Sequence, residues 1–146
     1  MPDERPALRV FFDSSVIVAG AASSHGASHV LLQLAGLGLI DGRISALVRE
    51  ETVRNVRKKL PAALPALLVL LKEVLVEGEH VASGRWEKVE EYADPKDTPI
   101  LAAALGQECR YLLTLNQRDF WPPAEWIEVV RPGDLLHRLR GIIVSA

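Results

Sequence analysis

Short apolar runs alternate along the chain with longer stretches rich in alanine and leucine, and this alternation limits the fold more than any other feature. Leu8-Arg9-Val10-Phe11-Phe12 is a β-branched and aromatic run that stops at Asp13, the pattern of a buried strand. Arg43–Ala46, Glu73–Val81 (interrupted at Gly78), Arg110–Thr114 and Trp126–Val130 supply further candidate strands. Between them Val16–Ala22, Ala27–Leu39, Val48–Leu60, Ala62–Leu71 and Ile100–Gln107 read as helices, with Pro61 stopping the third. Ser83-Gly84-Arg85-Trp86 opens a charged helix reaching Tyr92, Asp41-Gly42 reads as a turn, and Pro132-Gly133-Asp134 starts a terminal helix through Leu139. Strands separated by helices favour a parallel sheet with helices on both faces. The 146 residues are expected to form a single domain, with no repeat, linker or low-complexity segment.

Composition narrows the setting. The longest apolar stretches, Val30–Ile40 and Ala62–Leu71, fall short of the ~20 residues that a membrane span needs. Met1-Pro2-Asp3-Glu4-Arg5 lacks the basic-then-apolar layout of a secretory signal. The one cysteine, Cys109, makes no internal disulfide and offers no metal cluster. These features predict a cytoplasmic protein with no membrane partner. With 17 basic and 19 acidic side chains the net charge is −2, so a nucleic-acid partner has to be held by a local patch or through bound cations.

In an open parallel sheet the functional crevice lies outside the carboxyl ends of the strands. Asp13 sits at the end of the first strand, Glu50 and Glu51 fall in the first turn of the helix after the second, and Asn116 and Asp119 follow Tyr111–Thr114. Asp97 stands at a helix start. Each acid has a purely structural explanation: Asp13, Asp94 and Asp97 suit helix N-caps, Glu50 and Glu51 suit a helix dipole, and Asp119 suits a turn. Their shared location is harder to explain that way. Two carboxylates ~4 Å apart repel by ~4 kcal/mol at an effective dielectric of ~20, so several in one crevice call for protonation or a cation. Oxygen ligands without nearby cysteine or paired histidine favour Mg²⁺ or Mn²⁺ over zinc, and such an ion is common equipment for phosphate chemistry.

Four blocks then resemble a known family. Phe11-Phe12-Asp13-Ser14-Ser15, the Ser45…Glu51…Asn55 segment, Asp94-Pro-Lys-Asp97-Thr-Pro-Ile-Leu-Ala-Ala-Ala104 and Leu113-Thr114-Leu115-Asn116-Gln117-Arg118-Asp119-Phe120 look like the signatures of PIN-domain nucleases, in particular the VapC-like toxin group. The likeness covers residues 10–120 in the family's order. It implies an α/β/α three-layer sandwich around a parallel sheet, a homodimer, and a Mg²⁺- or Mn²⁺-dependent endoribonuclease that hydrolyses RNA phosphodiesters as the toxin of a toxin–antitoxin pair. Carried over by position, Asp13, Glu51, Asp97 and Asp119 are the catalytic metal ligands. Ser15 and Thr114 are supporting groups, and Asn116 and Arg118 face support or substrate. The sequence departs from the family at Asn116, where many relatives have Asp, and at Ser15, where Asn is frequent. The helical pattern of Leu47, Val48, Val53, Val56 and Leu60 does not separate Glu50 from Glu51; Glu51 is chosen by family register.

Other features have two meanings each. Arg54, Arg57, Lys58 and Lys59 either guide RNA phosphates or form a solvated helix face. His25 and His29 have chelating spacing but lack a third ligand nearby. Trp86, Trp121 and Trp126 either stack bases or anchor a loop around Pro122-Pro123. Ala27–Leu39 and Ala62–Leu71 carry more apolar surface than one buried face requires, which suits a homodimer or a partner such as an antitoxin. The competing function is a catalytically weakened nucleic-acid- or partner-binding module, prompted by Asn116 and the acidic balance. Other phosphate-handling α/β domains fit poorly, since no Gly-x-x-x-x-Gly-Lys loop exists and no Lys follows Lys96.

Overall fold

The computed structural model describes residues 7–78 and 88–145, with 142–145 described by their backbone alone. Five strands, β1 (Leu8–Phe12), β2 (Ile40–Ile44), β3 (Val76–Glu77), β4 (Tyr111–Leu113) and β5 (Glu128–Val130), form one sheet in the order β3-β2-β1-β4-β5. All four pairings are parallel. The helices are α1 (Ser14–Ala22), α2 (Ala27–Gly36), α3 (Ala46–Lys59), α4 (Leu64–Glu73), α5 (Thr98–Gly106) and α6 (Pro132–Ser145). Successive strand side chains point to opposite faces, and Val10, Phe11 and Phe12 are all fully buried. The central strand is therefore covered on both sides, which makes the fold the expected α/β sandwich. On the helical side α1 packs against α2 and α3, α4 against α3, and α6 against α2; α5 packs on β2 and β4.

Several boundaries differ from the expectation, each for a local reason. Asp41-Gly42 is not a turn but lies inside β2. The Asp41 carboxylate accepts from Arg43 Nε and Nη2, both at 2.9 Å, which satisfies the aspartate within the strand. A Cβ on Gly42 would come within 2.7 Å of Leu75 Cδ2 and 3.2 Å of Phe12 Cε1, so the glycine serves close packing. Helix α3 starts at Ala46 because Ser45 caps it, its Oγ accepting from Val48 N at 3.3 Å. Glu50 and Glu51 consequently lie in its second turn rather than its first. The third strand shortens to Val76–Glu77, and residues 79–81 lie outside the described residues. So does 83–87 of the expected charged helix; its remainder forms only a 3₁₀ turn at Val89–Glu91, preceded by Lys88 at φ 68°. The last strand begins at Glu128, and the terminal helix runs on to Ser145.

The strand order sets the place for chemistry. From β1 the chain builds outward through β2 and β3 on one side, then returns to lay β4 and β5 on the other. The β1–β4 junction is thus a topological switch point, where a crevice opens at the carboxyl ends. Phe12 pairs with Leu113 at that end, and the residues that follow them are Asp13 and Thr114.

Candidate active site

Asp13 leaves β1 and enters α1 as its N-cap. Its amide donates to Leu113 O at 3.0 Å, tying it to the end of β4. The carboxylate is buried and both its oxygens accept: Oδ1 from Ser14 N at 2.8 Å, and Oδ2 from Ser15 Oγ at 3.0 Å and Thr114 Oγ at 2.8 Å. Those hydroxyls are themselves oriented. Ser15 Oγ accepts from Leu115 N at 3.2 Å and Thr114 Oγ from Asn116 N at 3.1 Å, so each spends its single proton on Asp13. The capping explanation holds for Asp13, and the N-terminus of α1 favours its negative charge.

Asp97 and Asp119 arrive from elsewhere in the chain. Asp97 precedes α5, yet its side chain makes no capping bond. The turn before it is closed by Asp94 O, which accepts from Asp97 N at 2.8 Å and Thr98 N at 3.0 Å. Asp119 ends a 3₁₀ turn at Gln117–Asp119, its amide donating to Asn116 O at 3.0 Å. A single backbone bond clasps the two loops, from Asp94 N to Asp119 O at 2.7 Å. Across the resulting gap the Lys96 ammonium bonds Asp97 Oδ2 at 2.6 Å and Asp119 Oδ2 at 3.0 Å. Burial pushes the Asp97 carboxyl above its usual range; Lys96 opposes the shift, while the charges of Asp119 and Asp13 add to it. Asp119 follows the carboxyl end of β4, beside the end of β1 that carries Asp13, and Lys96 links Asp97 to Asp119. Lys96, held by both carboxylates, has its own pKa raised.

The remaining candidates are placed less centrally. Glu51 is half-buried one helical turn before Asn55, and no ion pair or hydrogen bond among the described residues joins it to the aspartates. Glu50 is exposed and belongs to a different feature, a hollow of about 800 Å³ between α3 and α4 that also contains Arg49, Arg54, Arg57, Lys58 and Lys72. Asn116 and Arg118 are exposed on the loop after β4. As the side chains stand, no group of three or more His, Cys, Asp and Glu among the described residues is close enough to hold a metal ion. The donor set is nonetheless all oxygen, and a cation already sits on two of its members, which fits a hard ion such as Mg²⁺ or Mn²⁺.

Sequence reasoning missed Lys96. Its contact depends on the Asp94–Asp119 clasp, a pairing across 25 residues that leaves no local signal. The histidine and tryptophan alternatives also resolve. His29 Nδ1 lies 3.1 Å from Gly20 O, a packing role between α1 and α2. Trp126 meets Tyr92 edge to face with centroids 5.2 Å apart, whereas Trp121 is 70% exposed beside Arg118. Trp86 lies outside the described residues.

A search of curated proteins finds no match. Among solved structures, a chain of VapBC2 from Rickettsia felis bound to a DNA fragment from their promoter superposes with a TM-score of 0.60 at 16% identity, covering 85% of this chain and 98% of that one. VapC20 of Mycobacterium tuberculosis, a sarcin-ricin loop cleaving toxin, gives a TM-score of 0.50 at 18% identity, covering 70% and 86%. The sheet and helices described above are therefore the fold of those proteins. A family model for the PIN domain matches residues 9–118, from β1 through the loop that ends one residue before Asp119. With three quarters of its length so matched, the chain belongs to the PIN-domain family.

Proposed function

We propose that this protein is a divalent-metal-dependent endoribonuclease that acts as the toxin of a toxin–antitoxin pair. One observation carries the proposal: Asp97 and Asp119, distant in sequence, share one bridging cation, while Asp13 stands at the switch point of the sheet. The likeness to a chain of VapBC2 and to VapC20 supports the toxin role, and the sarcin-ricin loop cleavage of VapC20 supports RNA as the substrate class.

In this proposal Asp13, Asp97 and Asp119 hold the metal, with Glu51 as the fourth acid by family register. A bound Mg²⁺ or Mn²⁺ supplies charge for the phosphodiester's developing negative charge and acidifies a water for hydrolysis. Ser15 and Thr114 fix the Asp13 carboxylate so that its direction does not change with loading. Arg118, exposed beside Asp119, grips an RNA phosphate. The separate basic hollow between α3 and α4 offers Arg54, Arg57 and Lys58 as further phosphate contacts. Exposed Leu37 and Leu39 after α2, with Leu68 and Val69 on α4, supply the apolar surface for a homodimer or an antitoxin. Among the described residues no helix is long and apolar enough to cross a membrane.

Cleavage of single-stranded RNA by purified protein in Mn²⁺ tests this directly. Chelation abolishes cleavage, and Asp13→Asn lowers it by at least ~100-fold, the scale of losing one charge-stabilising group at the reacting centre. Undiminished cleavage by Asp13→Asn contradicts the proposal. RNA binding without any Mn²⁺ binding makes the protein a binding module instead.

A further inference from the structure

We propose that Lys96 is the built-in counter-ion of the metal-free site: its ammonium occupies the place between Asp97 and Asp119 that the divalent ion takes, so that loading requires its displacement and Lys96 sets how tightly the ion binds. This rests on the divalent-ion site proposed above.

Three observations support it. The ammonium touches one oxygen of each carboxylate, at 2.6 and 3.0 Å, as a bridging cation does. The Lys96 side chain is 65% exposed, so the ammonium swings out with little loss of packing; lysine is a point charge on a flexible stem, suited to such an exchange. The carboxylates, by contrast, are only 14% and 25% exposed and are brought together by the Asp94–Asp119 backbone clasp rather than by Lys96. The pair therefore persists when the lysine leaves. Asp13 has no such cation, because amide and hydroxyl donors satisfy it.

The test compares the metal-free wild-type chain with Lys96→Met and Lys96→Arg, by calorimetric titration with Mn²⁺ and by thermal unfolding. Lys96→Met binds Mn²⁺ about fivefold more tightly, the scale of one partly exposed ion-pair contact. Its melting temperature without metal falls, because Asp97 and Asp119 then face each other uncompensated, and Mn²⁺ restores it. Lys96→Arg keeps the charge and binds Mn²⁺ within about twofold of wild type. Equal or weaker binding by Lys96→Met, with wild type still binding, overturns the displacement and leaves the metal site standing. Absence of Mn²⁺ binding in every variant overturns both. A metal-free Lys96→Met as stable as wild type overturns the counter-ion role whatever the titration gives.

Discussion

Asp13 and the Asp97–Asp119 pair share one rim of the sheet but balance their charge by different means. Asp13 is buried at the junction of β1 and α1, and its oxygens meet one amide and two hydroxyls whose own lone pairs are also engaged. Asp97 and Asp119 lie on turns outside the regular elements, clasped by one backbone bond and neutralised by an exposed lysine. The first arrangement is fixed by the framework and carries no exchangeable charge. The second leaves its counter-charge free to be replaced. A site that has to take up an ion needs both kinds of group: one that keeps its direction, and others whose neutralising partner can depart.

Removing a support from the fixed side has the larger effect. Thr114→Val keeps the volume but deletes the donor to Asp13 and the acceptor for Asn116 N. We expect a 10–100-fold loss in Mn²⁺ affinity or activity, as for other groups that orient a metal ligand, with ~1–3 kcal/mol lost in unfolding. Ser15→Ala has the same direction and a smaller size, since Ser15 is only partly buried. Calorimetry and urea unfolding on the same samples check both. A Thr114→Val protein with normal Mn²⁺ binding would erase the distinction between the two sides.

A smaller effect separates the framework from the rim altogether. Cys109 is buried just before β4, and burial raises its thiol to about 12 from the ordinary 9.0. The folded state thus favours the protonated thiol. That contribution is complete below pH 9 and is lost as the pH rises toward 12, where an unfolded thiol would already have ionised. Wild type therefore loses stability more steeply than Cys109→Ala between pH 9 and 11 in urea titrations. Mn²⁺ leaves the difference between the two slopes unchanged, because the cysteine lies at the start of β4 and the aspartates at the other end.

Most of the framework was legible in the sequence because burial on both faces writes itself as unbroken apolar runs, as in Val10-Phe11-Phe12 and Leu112-Leu113. Asp13 and Thr114 were legible as strand-end residues for the same reason. Asp41-Gly42 was not, since its turn chemistry is overridden by tertiary partners, Arg43 for the aspartate and Leu75 against the glycine. The start of α3 was misjudged because Ser45 acts as a cap rather than as strand. Lys96 escaped notice because a lysine between Pro95 and Asp97 reads as an ordinary solvent-facing charge. Only the long-range clasp to Asp119 gives it two partners. In three dimensions Glu50 lines the basic hollow and Glu51 does not, and the choice of Glu51 still rests on family register.

The central claim is that carboxylates from both sides of the rim bind one divalent cation together. Titration of the metal-free protein with Mn²⁺, beside Asp13→Asn and Asp119→Asn, tests it most directly. The account predicts a Mn²⁺ binding event in wild type that either substitution alone weakens at least ~10-fold. A binding event that survives unchanged in either variant would contradict it.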